Sequence, residues 1–349
     1  MSGTHDDNPK FPYFLKRLKS QEMGSRTERG GRAHRGPYVL IPKEAQKMFP
    51  PRSSEILNDH VYIGFSPLFL PRAGGGFLKI YCDYIWHNSR FAKPEVARPR
   101  NEHRIYIPKH FGGGQMFQDD ILVIRRKRPE ELKTLDPVGG IGAGLGEIWE
   151  YFVDWIRPDE QPDEWRFYDA LLTENPSHRR PDFCLLEDRI DVFERKINPD
   201  VEEKPLIDED LFGKELEKED VRPALFNQQS FRDFVLWAYD FDCAVSHEPV
   251  VVGGRNNLVA ACIRPLSEGG VLTPKNGVSL RMDLAWAFRQ GMITIDPVSR
   301  RVRVHEAASG TYLSKYDGVT VEVRKPAFAP DDEALRWHGD NVWGRFACG

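Results

Sequence analysis

The densest chemistry in the sequence lies in NSRFAKPEVARPRNEHRI, residues 88–105. There Arg90, Lys93, Arg98, Arg100 and Arg104 stand among Asn88, Glu102 and His103. An arginine fork bonds two acceptors at once, which suits a guanine edge or a phosphate. A carboxylate such as Glu102 accepts from the cytosine amino group. A second basic stretch, RTERGGRAHRG at residues 26–36, reads as a flexible Gly-Arg-His loop that carries His34 and Arg35 and could lie in a groove. Surplus Lys and Arg would then contact phosphates and make binding steeply salt-dependent. The bland alternative is a solvated basic face whose arginines pair with acidic neighbours.

A different chemistry is spelled by RPDFCLLEDRIDVFERK, residues 180–196. Asp182, then Glu194 and Lys196 on an apparent hairpin, echo the PD…ExK arrangement, in which two carboxylates hold a divalent metal and a lysine orients the attacking water. Glu147 or Glu150 could add a ligand, and Mg²⁺ would be the cofactor. Against this, residues 198–222 offer an acidic stretch where a helix and a strand are needed, so an ordinary polar hairpin is the preferred reading. The glycines of VGGIGAGLG, residues 138–146, do not fit GxGxxG and read as a hinge. Cys82, Cys184, Cys243, Cys262 and Cys348 are scattered without CxxC spacing, which argues against a disulfide framework or a cysteine-rich zinc site.

The charge distribution sets the modules that must position these groups. Residues 1–130 carry 23 Lys and Arg against 13 Asp and Glu, residues 131–225 carry 12 against 26, and residues 226–349 carry 14 against 14. A basic module, an acidic middle and a neutral module follow one another, and the first has the sign of a polyanion-binding surface. The acidic middle could shield the basic module in cis. Residues 38–41, 61–65, 77–81, 104–107 and 121–124 read as strands punctuated by Gly74–Gly76 and Gly112–Gly114, with a turn or two of helix at KEAQKMF. Many short strands suggest a barrel or pseudobarrel. In the middle, Ile148, Phe152 and Trp155 fall on a helical period, and residues 198–222 read as a solvated linker. The last module predicts an amphipathic helix through Phe231, Phe234, Val235 and Ala238, an apolar hairpin pairing 243–245 with 258–263, a helix over 281–289, and short strands at 292–295 and 302–304. No apolar stretch is long enough to span a bilayer and the start has no apolar signal core, so a cytoplasmic location is the default expectation.

FLKRL, the Gly-rich loop ending in His34, YVLIP, KMFP, NSR and RNEHRI, in this order over roughly residues 11–125, resemble the N-terminal effector domain of EcoRII-type restriction endonucleases. The resemblance implies a DNA-binding pseudobarrel that reads bases with two arms. His34 falls in the first arm. Arg90, Arg100, Glu102 and Arg104 fall in the second, and Lys93 and Arg98 lie in extra residues between NSR and RNE.

QQSFR, CAVS, LVAACIRP, NGVSLRMDLAWAFRQGMITID and LRWHGDNVW, within residues 228–343, resemble an HNH nuclease domain of restriction-enzyme type. Such a site needs an imidazole base, a divalent metal and an asparagine that props the loop between two strands. Asn276 is present, but Cys262 replaces the first histidine, Ala285 the helix histidine and Arg289 the usual acidic residue. A thiol is a poor base, alanine cannot bind a metal, and arginine repels one. His247, where the family tends to have glycine, could supply a substitute base, although a loop histidine is more often simply solvated.

Together these readings predict an α+β multidomain protein. Its parts are a β-rich DNA-binding pseudobarrel at 1–130, a hinge, helical segment and acidic linker at 131–225, and a ββα-metal (HNH-like) domain without its catalytic histidines at 226–349. The expected function is sequence-specific binding of double-stranded DNA in restriction, defence or their regulation, with no resident cofactor. A homodimer, or a partner nuclease or methyltransferase, is compatible with it. An active Mg²⁺-dependent type II restriction endonuclease and a transcriptional regulator are the alternatives.

Overall fold

A computed structural model describes residues 13–34, 36–68, 77–88, 101–108, 111, 115–128, 131–132, 149–174, 182–186, 203–207, 226–252 and 255–346. Two compact units divide the chain. The first takes in Met1–Leu132 and Trp149–Ala224, and the second is built on Leu225–Gly349. The protein is mixed α and β, and none of its described helices is long and apolar enough to cross a membrane.

The first unit is a nine-stranded sheet. In chain order its strands are β1 (Tyr13–Arg17), β2 (Tyr38–Ile41), β3 (His60–Pro67), β4 (Phe77–His87), β5 (Glu102–Tyr106), β6 (Ile121–Arg126), β7 (Glu150–Ile156), β8 (Phe183–Leu186) and β9 (Glu203–Leu206), with helix α1 (Pro162–Glu174) before β8. The spatial order is β2-β5-β4-β3-β7-β6-β1-β8, with β9 beside β4. Among the described strands only the β3–β7 and β4–β9 pairs are parallel. Strand alternation puts Val39 and Ile41 of β2, Ile63 of β3, Tyr84 of β4, Ile124 of β6, Tyr151 of β7 and Phe183 of β8 in one core, so the sheet curls until strands from both edges share an interior. A short 3-10 turn, Lys43–Met48, delivers Phe49 into that interior, where its ring stacks on Tyr151 at 5.1 Å. The other face of β1, β6, β7 and β8 is also apolar, through Leu15, Val123, Phe152 and Leu186. There α1 covers it with Tyr168, Leu171 and Leu172.

Three expectations change here. Residues 150–156 form a central strand rather than a helix. With Tyr151, Val153 and Trp155 buried on one face and Phe152 and Ile156 on the other, the strand reads as a continuous apolar run, and a helical period falls out of it by coincidence. Within the expected linker, residues 203–206 pair with Phe77–Ile80 as a strand. The sheet therefore does not end at residue 130, because β7, β8 and β9 complete it. The glycine stretch 138–146 lies outside the described residues.

In the second unit, helix α2 (Gln228–Ala238) starts at Asn227, whose side chain accepts from the Ser230 N–H at 2.8 Å. A small β10–β11 pair (Val251–Val252, Arg255–Asn256) is followed by β12 (Leu258–Cys262), a loop, β13 (Gly277–Arg281), helix α3 (Met282–Arg289), the β14–β15 pair (Ile293–Ile295, Val302–Val304) and helix α4 (Asp332–Asn341). β12 pairs with β13, register Cys262 to Gly277, and not with residues 243–245 as the sequence suggested. Cys243–Val245 are buried in a turn tied to β13 by the Ala244 N–H to Ser279 C=O bond of 2.8 Å, which explains their apolarity without a strand. Gly277 permits the close approach of α2, since a Cβ there would stand 2.4 Å from Val235 Cγ2.

Candidate nucleic-acid interface

Strand β4 ends at His87 and β5, its antiparallel neighbour, begins at Glu102. Arg90, Lys93, Arg98 and Arg100 therefore belong to the connection between two paired strands, and they lie outside the described residues, as does Arg35. Both roots of that connection are anchored. Asn88 Nδ2 donates to the Ile56 carbonyl at 2.9 Å, while its Oδ1 accepts from the Asn58 N–H at 2.5 Å. At the far root, the Trp86 indole N–H donates to Asn101 Oδ1, and the Trp86 ring stacks on His103 at 5.1 Å. His103 is bonded to the Tyr84 hydroxyl at 2.8 Å. Burial, aided by Arg52, brings its imidazole down to about 4, so it is neutral near pH 7. Asn88 and His103, grouped by sequence with the reading residues, thus hold the frame.

Glu102, Arg104 and Tyr106 share one face of β5 by strand alternation. Arg104 Nε and Nη2 both donate to Glu102 Oε2, at 3.1 and 2.6 Å, and Nη1 reaches the Tyr106 hydroxyl at 3.5 Å. The guanidinium also lies over the Tyr38 ring, 4.3 Å from its centroid, because β2 places Tyr38 directly opposite Tyr106.

The first basic loop is held rather than loose, contrary to its glycine content. Arg26 donates to the Met116 carbonyl at 3.1 Å, and Arg29 makes a two-pronged bond to buried Asp120 at 2.8 and 2.8 Å. Asp120 also accepts from the Trp155 indole at 2.8 Å, which ties the loop to the core strand β7. Arg32 and His34 are left exposed on the loop's outer side. Arg32 was not singled out by sequence, although it sits between the glycines and His34.

The PD…ExK-like candidates divide. Glu194, Lys196 and Glu147 lie outside the described residues. Asp182 precedes β8, whose described partner is β1. Its Oδ2 sits 3.1 Å from Lys16 Nζ and 2.6 Å from Lys19 Nζ. Burial alone would raise this carboxyl, but Lys19 and Lys16 outweigh it and hold it below the usual carboxylate range. Lys16, 2 % exposed, continues to Glu22 at 3.4 Å. The Glu22 side chain accepts from the Leu40 N–H of β2 at 2.8 Å, and its carbonyl accepts from the Tyr38 N–H at 3.0 Å. Asp182, Lys16 and Glu22 thus form a polar seam joining the two edges of the curled sheet, β8 with β1 on one side and β2 on the other. Neither Lys16 nor Glu22 shows this role in sequence, since the seam joins residues far apart in the chain. Glu150, the expected extra ligand, is buried between Lys79 at 2.9 Å and Lys127 at 3.1 Å. Among the described residues no group of three His, Cys, Asp or Glu side chains is gathered to hold a metal ion.

In the second unit the order strand, loop, strand, helix brings Cys262 and Asn276 together. Asn276 Nδ2 donates to the carbonyls of Arg264 at 2.9 Å and Val271 at 3.0 Å, its Oδ1 accepts from the Arg264 N–H at 2.9 Å, and Cys262 Sγ lies 3.5 Å away. The asparagine staples the loop between β12 and β13. Burial pushes the Cys262 thiol up to about 12, far from a working base near neutrality. Ala285 is a buried methyl on α3, and Arg289 is half-buried one helical turn further on. His247 stands exposed in a turn with φ of 58°. His338, one of the histidines that sequence left unassigned, is fully enclosed on α4. Its ring stacks on Phe288 at 3.7 Å, with Nδ1 bonded to Thr294 Oγ1 at 2.9 Å and Nε2 to the Phe288 carbonyl at 3.0 Å.

No family model matches the chain, and no curated protein matches it. Among solved structures it is similar to a modification dependent TagI restriction endonuclease, with 20% identity, a TM-score of 0.28, and a match covering 35% of this chain and 39% of that one. The chain thus spans well under half the length of that protein, and the likeness assigns no residue a role.

Proposed function

We propose that this protein binds double-stranded DNA sequence-specifically through its first unit, in restriction, defence or their regulation, and that its HNH-like second unit does not cut. The observation that carries the reading is the anchored β4–β5 connection. A segment with Arg90, Lys93, Arg98 and Arg100 against the single acid Glu95 is rooted at both ends on the sheet, beside the Glu102–Arg104 pair. Cations on a rooted loop supply both the phosphate attraction and the register that base reading requires. Exposed Arg32 and His34 on the braced β1–β2 loop supply a second set of contacts.

The silent second unit is supported by its site chemistry. Asn276 still staples the loop, but the neighbouring thiol stays protonated, Ala285 offers no ligand, and Arg289 brings positive charge where the resemblance expects an acidic residue. Purified protein incubated with mixed-sequence plasmid and Mg²⁺ or Mn²⁺, beside a gel-shift on the same DNA, tests both halves. Binding without cleavage is expected. Cleavage overturns the silent-site reading, with Asp182→Ala and Asn276→Ala then locating the activity, and no binding at low salt overturns the DNA reading.

A further inference from the structure

We propose that the second unit carries a binding site for a phosphate group, built by Arg303, His305 and Trp343 beside the end of α4. Strand alternation buries Val302 and turns Arg303 outward from β15. Its guanidinium lies over the Trp343 ring, 4.2 Å from the centroid, and no carboxylate among the described residues pairs with it. Asp296, the acid within its electrostatic reach, is occupied by the turn that follows β14. There it accepts from the Val298 and Ser299 N–H groups at 3.1 and 2.8 Å.

His305 stands edge-on to Trp343 and to Phe346, with ring centroids 5.7 and 4.9 Å apart. Its Nδ1 accepts from the Ala307 N–H at 3.2 Å, so the proton of the neutral ring is on Nε2, which donates. Gly344, at a φ of 72°, leaves that edge uncovered, since a Cβ there would stand 3.0 Å from Nε2. The Trp343 indole N–H is buried without an acceptor, and such a donor is rare in a folded protein. Arg345, exposed just beyond Gly344, adds a second positive charge. The cluster thus presents side-chain donors and no free side-chain acceptor, which fits an oxyanion. The His305 and Trp343 rings are inclined at 79°, so their N–H groups lie in different planes and suit a tetrahedral phosphate better than a flat carboxylate. A nucleic-acid backbone and a free phosphate share that chemistry.

The test follows the indole N–H signals of the eight tryptophans by two-dimensional NMR of the full chain, while inorganic phosphate is added at constant ionic strength. The signal missing from Trp343→Phe is expected to move. Arg303→Gln should weaken the binding it reports by at least about five-fold. Arg303→Lys, which keeps the charge but not the fork, should retain part of it. A Trp343 signal unmoved by phosphate, or moved equally by acetate, overturns the proposal, as does an Arg303→Gln protein that folds and binds like wild type. Should Arg303→Gln fail to fold, the comparison of phosphate with acetate on wild type decides. Duplex DNA is the second probe. If it moves the same signal, and Arg303→Gln makes the slope of log affinity against log salt shallower by about one, the nucleic-acid backbone supplies the phosphate. If inorganic phosphate moves the signal and DNA does not, the ligand is a free phosphate group. The phosphate titration uses no DNA, so this site and the DNA-binding reading above stand or fall separately.

Discussion

The seam of the first unit and the staple of the second use opposite chemistry for the same task. In the first, Asp182, Lys16 and Glu22 join the edges of a curled sheet with buried charge. In the second, Asn276 joins the ends of a loop with one neutral amide that both donates and accepts. Both Asp182 and Asn276 sit at positions whose types suggest catalysis. A charged seam is stable only while every partner is present, because each buried ion depends on its neighbour for the solvation it has lost. A neutral amide carries no charge to desolvate and leaves behind only unpaired backbone groups, two carbonyls and one N–H, when removed.

That contrast predicts unequal damage. Lys16→Ala strands Glu22 beside β2 and leaves Asp182 to Lys19 alone, and should cost about 3–5 kcal/mol of unfolding free energy. Lys16→Ala paired with Glu22→Gln should cost less than the single change. Denaturant unfolding of the three proteins checks this, and equal losses in single and double variants would show that the seam is not electrostatically coupled.

The second unit has its own sensitivity to protons, at His338. Burial lowers this imidazole to about 4, against the bond to the Phe288 carbonyl. Because the folded state holds the proton more weakly than an unfolded histidine near 6.5, its contribution is complete above pH 6.5 and is lost as pH falls toward 4. The loss is about 3 kcal/mol. His338→Gln removes the titrating group, so the stability gap between wild type and variant should narrow across that window. A gap that stays constant or widens would place the acid sensitivity elsewhere. Asn276→Ala comes next, at about 1–3 kcal/mol, since the carbonyls of Arg264 and Val271 lose their donor and the Arg264 N–H its acceptor. Thermal unfolding measures it, and a loss as large as that of Lys16→Ala would erase the distinction between seam and staple.

The sequence showed most clearly those elements whose burial is one-sided or whose turns are explicit. Strands β2 to β6 alternate or end in Gly and Pro, and α2 and α3 carry an apolar stripe of helical period. It misled at β7, which is buried on both faces, and at β9, whose pairing with β4 comes from tertiary context and not from its Glu- and Lys-rich composition. In the candidate interface the residue types were legible, but their engagements were not. Nothing local to RNEHR reveals that Tyr38, on the neighbouring strand, closes the face of Arg104. Likewise the glycines around residue 30 suggested mobility because the brace, Asp120, lies on a distant loop.

The smallest effect separates the two kinds of arginine in that braced loop. Arg29 is two-pronged on a fully buried carboxylate, so Arg29→Ala should lower stability, by about 2–4 kcal/mol, by leaving the buried Asp120 charge with neutral donors only. Arg32 is exposed, and its removal should leave stability within about 0.5 kcal/mol of wild type. If Arg32 meets a phosphate, Arg32→Ala should weaken binding to all duplexes alike and make the slope of log affinity against log salt shallower by about one. Titrations of one preferred and one unrelated duplex at several salt concentrations read both quantities. A change confined to the preferred duplex would instead assign Arg32 to base reading. An unchanged slope with unchanged affinity would take the β1–β2 loop out of the interface and leave the β4–β5 connection to carry binding by itself.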